Sequence, residues 1–229
     1  MRHLITIILL VTVTVIASGQ NMSYSEWKRE TKKDIRLLPK YGEVPKTNEQ
    51  KLADQELIDD YVKQEGSRTK ASALLVSLGF NYLYKGDLKT AMYRFNQAWI
   101  LEPENANCFW GFGGIYFTFG DYENALKQYD EGLKIDSNSS NILTDKATIF
   151  MTKYRINHIE KDFNEALTLF RQSYSINPKN QNTLFKLSVC YFEKKDCENA
   201  LFFYNECLKL GGRPITKEFT EALNKECKK

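Results

Sequence analysis

Four stretches decide the fold: GDLKTAMYRFNQAWILEP (86–103), GDYENALKQYDEGLKIDS (120–137), KDFNEALTLFRQSYSINP (161–178) and KDCENALFFYNECLKLGG (195–212). They align on Ala91, Ala125, Ala166 and Ala200, at spacings of 34, 41 and 34 residues. Four residues after each Ala stands an aromatic: Phe95, Tyr129, Phe170 and Tyr204. Seven after it stands a small residue: Ala98, Gly132, Ser173 and Cys207. Where the spacing is regular, a small residue also precedes the Ala by twelve positions (Gly79, Gly113, Ser188) and a tyrosine by nine (Tyr82, Tyr116, Tyr191).

The physics of this pattern is that of a helical hairpin. Small side chains on a first helix, opposite Ala91 or Ala125 on a second, let two axes approach closely while aromatics fill the flanks. Asp87, Asp121, Asp162 and Asp196 stand in the turns, where a carboxylate accepts backbone N–H groups and meets the positive end of the next helix. One hairpin cannot hide its apolar face alone, so neighbours are expected to stack into a solenoid whose inner wall is lined mainly by first helices.

The pattern resembles the tetratricopeptide-repeat family, whose ~34-residue unit recurs with small and aromatic positions in this phase and often ends in Pro, as at Pro103 and Pro178. The match spans residues 72–212, about 60% of the 229-residue chain. It implies an all-α, right-handed solenoid with units at 72–105, 106–139, 140–180 and 181–212. The third unit has seven extra residues; Leu143, Ala147, Phe150 and Tyr154 predict a lengthened helix there, with 156–161 as a protruding loop. Lys146 also replaces an ordinarily apolar residue of that unit.

Outside the repeats, residues 20–70 read as a helical extension and linker. Ser23 with Glu26 has capping-box spacing before a helix expected to present Trp27, Thr31, Ile35 and Leu38 on one side; Pro39, Gly42 and Pro45 follow as a linker. Thr47 with Gln50 opens a second helix ending at Gly66. Residues 213–229 form an amphipathic cap bearing Ile215, Phe219, Ala222 and Leu223 on one side.

Residues 1–19 read as a secretory signal peptide. Arg2 and His3 precede thirteen uncharged residues, Leu4 to Ile16, and the small residues Ala17, Ser18 and Gly19 place cleavage before Gln20. The run is shorter than the ~20 residues of a membrane-spanning helix. A periplasmic or secreted protein without a permanent membrane span is therefore expected. Five cysteines leave at least one unpaired or paired between molecules. Cys197 and Cys227 fall at similar heights on neighbouring helices, which predicts either a disulfide stapling the cap or two free thiols; Cys207 reads as a small core residue.

Chemistry finds little to build on. Lys and Arg total 32 against 29 Asp and Glu, for a net charge of +3, with no basic stripe for nucleic acid. The one histidine beyond the signal segment, His158, has no partner for a metal site or catalytic triad and reads as a solvated loop residue. GFGGIYFTFG (111–120) lacks the Gly-Lys-Ser/Thr of a phosphate loop, and its glycines read as allowing close packing or leaving room on the inner wall. Pairs such as Asp59–Asp60 and Glu221–Glu226 are explained by helix solvation. No enzymatic activity, cofactor or metal is expected.

By the resemblance, partner contact falls on first-helix residues: Val76, Phe80, Tyr84, Trp110, Phe117, Asp145, Met151, Phe185, Lys186 and Phe192, with Leu83, Asn141 and Val189 beside them. This wall is largely apolar and aromatic. Val76, Phe80 and Gly111 stand where family members that clamp a terminal carboxylate carry polar residues, so that clamp is not expected. The groove is expected to hold a protein or peptide partner as an extended segment or a helix; alternatively residues 21–46, with Trp27, Leu37 and Leu38, fill it. A structural subunit of an envelope or secreted assembly and an enzyme of unrecognised type are the competing readings of function.

Overall fold

Turn chemistry sets the frame of the computed structural model, which describes residues 22–227. Asp87, Asp121 and Asp196 each accept the backbone N–H three residues on, at 3.1 Å, and start α4 (Leu88–Leu101), α6 (Tyr122–Ile135) and α10 (Cys197–Lys209). The residue before each Asp is left-handed: Gly86 and Gly120 at φ 79° and 73°, then Lys195 at 58°, where only the last carries a Cβ into that region. The partner first helices are α3 (Arg68–Tyr84), α5 (Ala106–Thr118) and α9 (Gln181–Glu193), with Ser67, Asn105 and Asn180 as N-caps.

The third hairpin has the lengthened first helix expected of it but not the expected loop. The insertion lengthens both of its helices, α7 (Ser140–Asn157) and α8 (Glu160–Ile176), and leaves no loop across 156–161. His158 closes α7 in the left-handed conformation and Ile159 precedes α8. Asp162 consequently lies within the first turn of α8 and caps nothing; its charge there still suits the positive helix end. Lys146 avoids burial by reaching Asp130 at 2.6 Å. Inside the unit, Ser140, Thr144, Ser173 and Thr183 bond one another at 2.6–2.9 Å in a buried cluster tying α7, α8 and α9.

Among the described residues there are eleven α-helices and no strand. Hairpins α3/α4, α5/α6, α7/α8 and α9/α10 stack in chain order, and the first helices touch in turn, α3 on α5, α5 on α7, α7 on α9. The small first-helix residues lie against the second helix as expected: Ser188 donates to the carbonyl of the repeat alanine Ala200 at 2.8 Å, and the two glycines lie closest to the aromatic four positions after the alanine. A Cβ on Gly79 would stand 2.5 Å from Phe95, and one on Gly113 2.2 Å from Tyr129. A ring of the second helix thus fills the space that the missing side chain leaves.

Both capping boxes of the amino-terminal region form, at Ser23/Glu26 and Thr47/Gln50. The first helix, α1 (Tyr24–Thr31), is shorter than expected: Ile35–Leu37 is a separate 3₁₀ turn opened by Asp34, and Lys40 to Glu43 make a left-handed turn. The segment lies along second helices. Asn96 of α4 donates to the carbonyls of Arg36 and Leu38 at 2.8 and 2.9 Å, Tyr93 donates to Asp34 at 2.8 Å, and Tyr24 donates to Asp121 at the start of α6. Trp27 and Leu37 are buried in the core beside it. Helix α2 (Asn48–Glu65) packs on α3, and α11 (Lys217–Cys227) closes the other end on α10, with Leu223 against Ala200 and Tyr204. Among the described residues no helix is long and apolar enough to cross a membrane; the expected signal peptide lies outside them.

Candidate functional site

Where first helices lie side by side, their outward faces meet in a cleft of about 330 Å³. Helix α3 supplies Phe80, Leu83 and Tyr84, α5 supplies Trp110, Gly114 and Phe117, α7 supplies Thr144, Asp145 and Thr148, and α9 supplies Asn182 and Lys186. Helical spacing explains the sets: Phe80 and Tyr84 are one turn apart, as are Trp110 and Gly114, and Asn182 and Lys186. Phe80 stacks obliquely on Trp110 with centroids 4.1 Å apart and stands 6.0 Å from Tyr84, which is 76% exposed at the rim.

One polar bond organises this aromatic wall. The indole N–H of Trp110 donates to Oδ2 of Asp145 at 2.6 Å, while Oδ1 accepts nothing among the described residues. Burial pushes the Asp145 carboxyl above its usual range, and the Trp110 bond and the Lys186 charge pull it partly back. Lys186 on the far wall is lowered by burial first and by nearby Arg155 second, with Asp145 opposing both. Neither belongs to an ion pair within 4 Å among the described residues; Arg155 is committed to Glu193 at 2.6 Å. The cleft therefore holds one carboxylate and one ammonium, shielded and unneutralised.

Six of the ten expected residues come together here: Phe80, Tyr84, Trp110, Phe117, Asp145 and Lys186. Met151 and Phe185 line a second depression with Arg155, Val189 and Phe219, sharing Thr148 and Lys186 with the first. Two expectations are corrected. Val76 is 8% exposed within the core and Met151 3%, so neither offers much surface. Phe185 and Phe192 pack edge-on against Phe219 of α11, at 5.4 and 5.6 Å, so the cap covers that end of the wall. Residues 22–46 dock on α4 and α6 and do not fill the cleft. Thr144, Thr148 and Asn182 went unnamed in the sequence, although each lies one helical turn from a residue that was named, whereas Gly114 falls in the stretch whose glycines were expected to pack closely or leave room on the inner wall.

Other chemistry is sparse. Among the described residues no group of three His, Cys, Asp or Glu is placed to hold a metal. His158 is exposed at the end of α7. Cys197 and Cys227 are joined by a disulfide with Cα atoms 5.2 Å apart, while Cys108, Cys190 and Cys207 are free and buried.

Comparison with known proteins agrees with the geometry. A family model described as tetratricopeptide repeat matches residues 106–139 and 182–210. Anaphase-promoting complex subunit 3 of Schizosaccharomyces pombe is 28% identical over 175 residues, covering 72% of this chain and 25% of its own length. Hsp70-Hsp90 organizing protein 1 of Glycine max is 26% identical over 163 residues, covering 63% and 28%. The chain thus spans about a quarter of the length of these curated relatives. The solved structure of Pseudomonas aeruginosa pilF superposes with a TM-score of 0.57 at 19% identity, over 70% of this chain and 71% of that one, which shows a shared fold. With the family model on its second and fourth hairpins, and the first and third built on the same in-phase residues, the chain carries tetratricopeptide repeats.

Proposed function

We propose that the protein is a non-catalytic scaffold that holds a segment of another polypeptide in the cleft of its first helices. The observation that carries this reading is the convergence of Phe80, Tyr84, Trp110 and Phe117, from two hairpins, on one open aromatic surface that no part of the chain between residues 22 and 227 covers. Large rings anchored at the centre of such a surface are the residues that supply most of the affinity at protein interfaces. The curated relatives, a subunit of a complex and an organizing protein, support the same class. A volume of about 330 Å³ suits one or two side chains of an extended peptide.

The protein acts outside the cytosol, periplasmic or secreted, after residues 1–19 are removed. Residues 20–70 brace the first hairpins, 71–212 form four units and 213–229 cap the stack.

A photo-cross-linking residue in place of Tyr84, at the exposed rim, is expected to capture a partner from the exported fraction of cells making the protein. Trp110→Ala in the same background is expected to reduce capture at least about thirtyfold, as loss of a central anchor does. Capture undiminished in a folded Trp110→Ala variant would reject the cleft. Mass spectrometry of the mature amino terminus tests export: a chain retaining Met1 in cells rejects it.

A further inference from the structure

Resting on that reading of the cleft, we propose that its aromatic end receives a positively charged side chain, arginine or lysine, from the bound peptide, with Asp145 as counter-ion. The faces of Phe80, Tyr84, Trp110 and Phe117 carry the negative lobe of their ring quadrupoles, which attracts a cation and disfavours an anion. Asp145 adds its carboxylate to the same surface. Its Oδ2 is bound by Trp110 and its Oδ1 has no hydrogen-bond partner among the described residues, so one acceptor is open toward the cleft.

Charge and desolvation exclude the alternatives. A purely apolar side chain seated on these rings would remove water from Asp145 and return no donor, leaving a buried charge uncompensated. A carboxylate would meet Asp145 head-on. A guanidinium or ammonium stacks on the rings and donates to Oδ1, replacing the lost water with a charge-assisted bond. Lys186 does not fill this role: it projects from α9, beyond α7, and lies more than 4 Å from the carboxylate. Its ammonium on the opposite wall admits only one cation to the cleft, and a backbone carbonyl of the same peptide is its partner. The recognised segment is therefore extended, with one basic side chain pointed at α5 and α7.

The test follows the indole N–H resonance of Trp110 in the ¹⁵N-labelled protein, assigned by its disappearance in Trp110→Phe. The probes are capped tripeptides, Ac-Ala-Arg-Ala-NH₂ and its counterparts with neutral citrulline or with glutamate at the centre. The arginine peptide is expected to move the resonance saturably, and the citrulline and glutamate peptides to bind at least tenfold more weakly. Asp145→Asn, with its fold checked by near-ultraviolet circular dichroism, is expected to lose the preference for arginine over citrulline. Equal affinity for citrulline, an undiminished preference in Asp145→Asn, or no saturable movement overturns the proposal. A partner cross-linked at Tyr84 through a segment lacking Arg and Lys also overturns it while leaving the peptide-binding reading standing; failure of Trp110→Ala to reduce capture removes that reading instead.

Discussion

Trp110 and Asp145 are coupled across the second and third hairpins, the indole N–H donating to Oδ2 at 2.6 Å. The carboxylate gains one bond but is shielded from water, and burial outweighs the bond in raising its pKa. A folded-state pKa above the unfolded value of ~3.9 means that folding favours the protonated form. The group's contribution to stability is complete below that pH and is lost as pH rises through the folded value. Above the folded value the ionised side chain is thus a net penalty.

Asp145→Asn keeps an oxygen for Trp110 and removes that penalty. It should melt above the wild type at pH 7, with the difference shrinking as the pH falls toward about 4. A variant less stable at pH 7 would mean that the Trp110 bond, not desolvation, dominates. Stability gained by removing a charge from the cleft fits a residue kept for binding.

Adjacent glycines of α5 should respond oppositely to the same substitution. A Cβ on Gly113 would stand 2.2 Å from the ring of Tyr129, which is 1% exposed and cannot retreat, so Gly113→Ala should lose ~1–3 kcal/mol by overpacking. On Gly114 the Cβ meets only Leu83 Cδ2, at 3.1 Å, a side chain at the cleft with room to shift. Gly114→Ala should therefore be neutral or gain up to ~1 kcal/mol from helix propensity, while narrowing the cleft and weakening peptide binding. Paired thermal melts check the signs; equal losses at both positions would contradict the packing assigned to Gly113.

The difference between these two glycines marks what a sequence discloses here. Periodicity identified the hairpins, because the 34-residue interval that separates Ala91 from Ala125 and Ala166 from Ala200 is imposed by units that must nest on one another. The family resemblance, carried onto those hairpins, placed Phe80, Trp110, Asp145 and Lys186 on one wall, where they line one cleft. The fate of the seven inserted residues was only half legible: the apolar pattern up to Tyr154 foretold the longer α7, but the residues expected as a loop lengthen α8 instead, propagation of a helix winning over a loop. Nor was the covering of Phe185 and Phe192, which depends on where Phe219 of α11 lands, a non-local outcome that no spacing within the repeats encodes.

The disulfide between Cys197 and Cys227 fixes that landing. It spans a sequence separation of 30 residues and holds α11, whose Leu223 is fully buried, against α10. Cross-links closing loops of this size contribute roughly 2–4 kcal/mol. Cys227→Ser, or mild reduction of the wild type, should lower the melting temperature and speed amide exchange across 217–227. Exchange there unchanged by reduction would show that packing alone secures the cap. Cys108, Cys190 and Cys207 are buried, which pushes all three thiols up, to about 12 for Cys108 and Cys190; alkylation before unfolding should spare them.

Asn96 should prove the main tie of the amino-terminal segment. Its Nδ2 serves the carbonyls of both Arg36 and Leu38 from a fully buried position, and Asn96→Ala would leave both acceptors without a donor, at roughly 1–3 kcal/mol each. Residues 30–41 should then exchange and be cleaved faster, while α9 and α10 stay protected, since a solenoid transmits such losses only to neighbours. Acid should loosen the same contact. Asp34 is held at about 2 by its bonds from Arg36 and Tyr93, so its contribution, complete above the unfolded value of ~3.9, fades as pH falls toward about 2. Arg36 is exposed and Asp34 only part-buried, so salt should partly screen the pair, and Asp34→Asn is expected to act in the same direction as Asn96→Ala but more weakly. Equal exchange across 30–41 in wild type and Asn96→Ala would mean that Trp27 and Leu37, buried in the core, hold the segment without it.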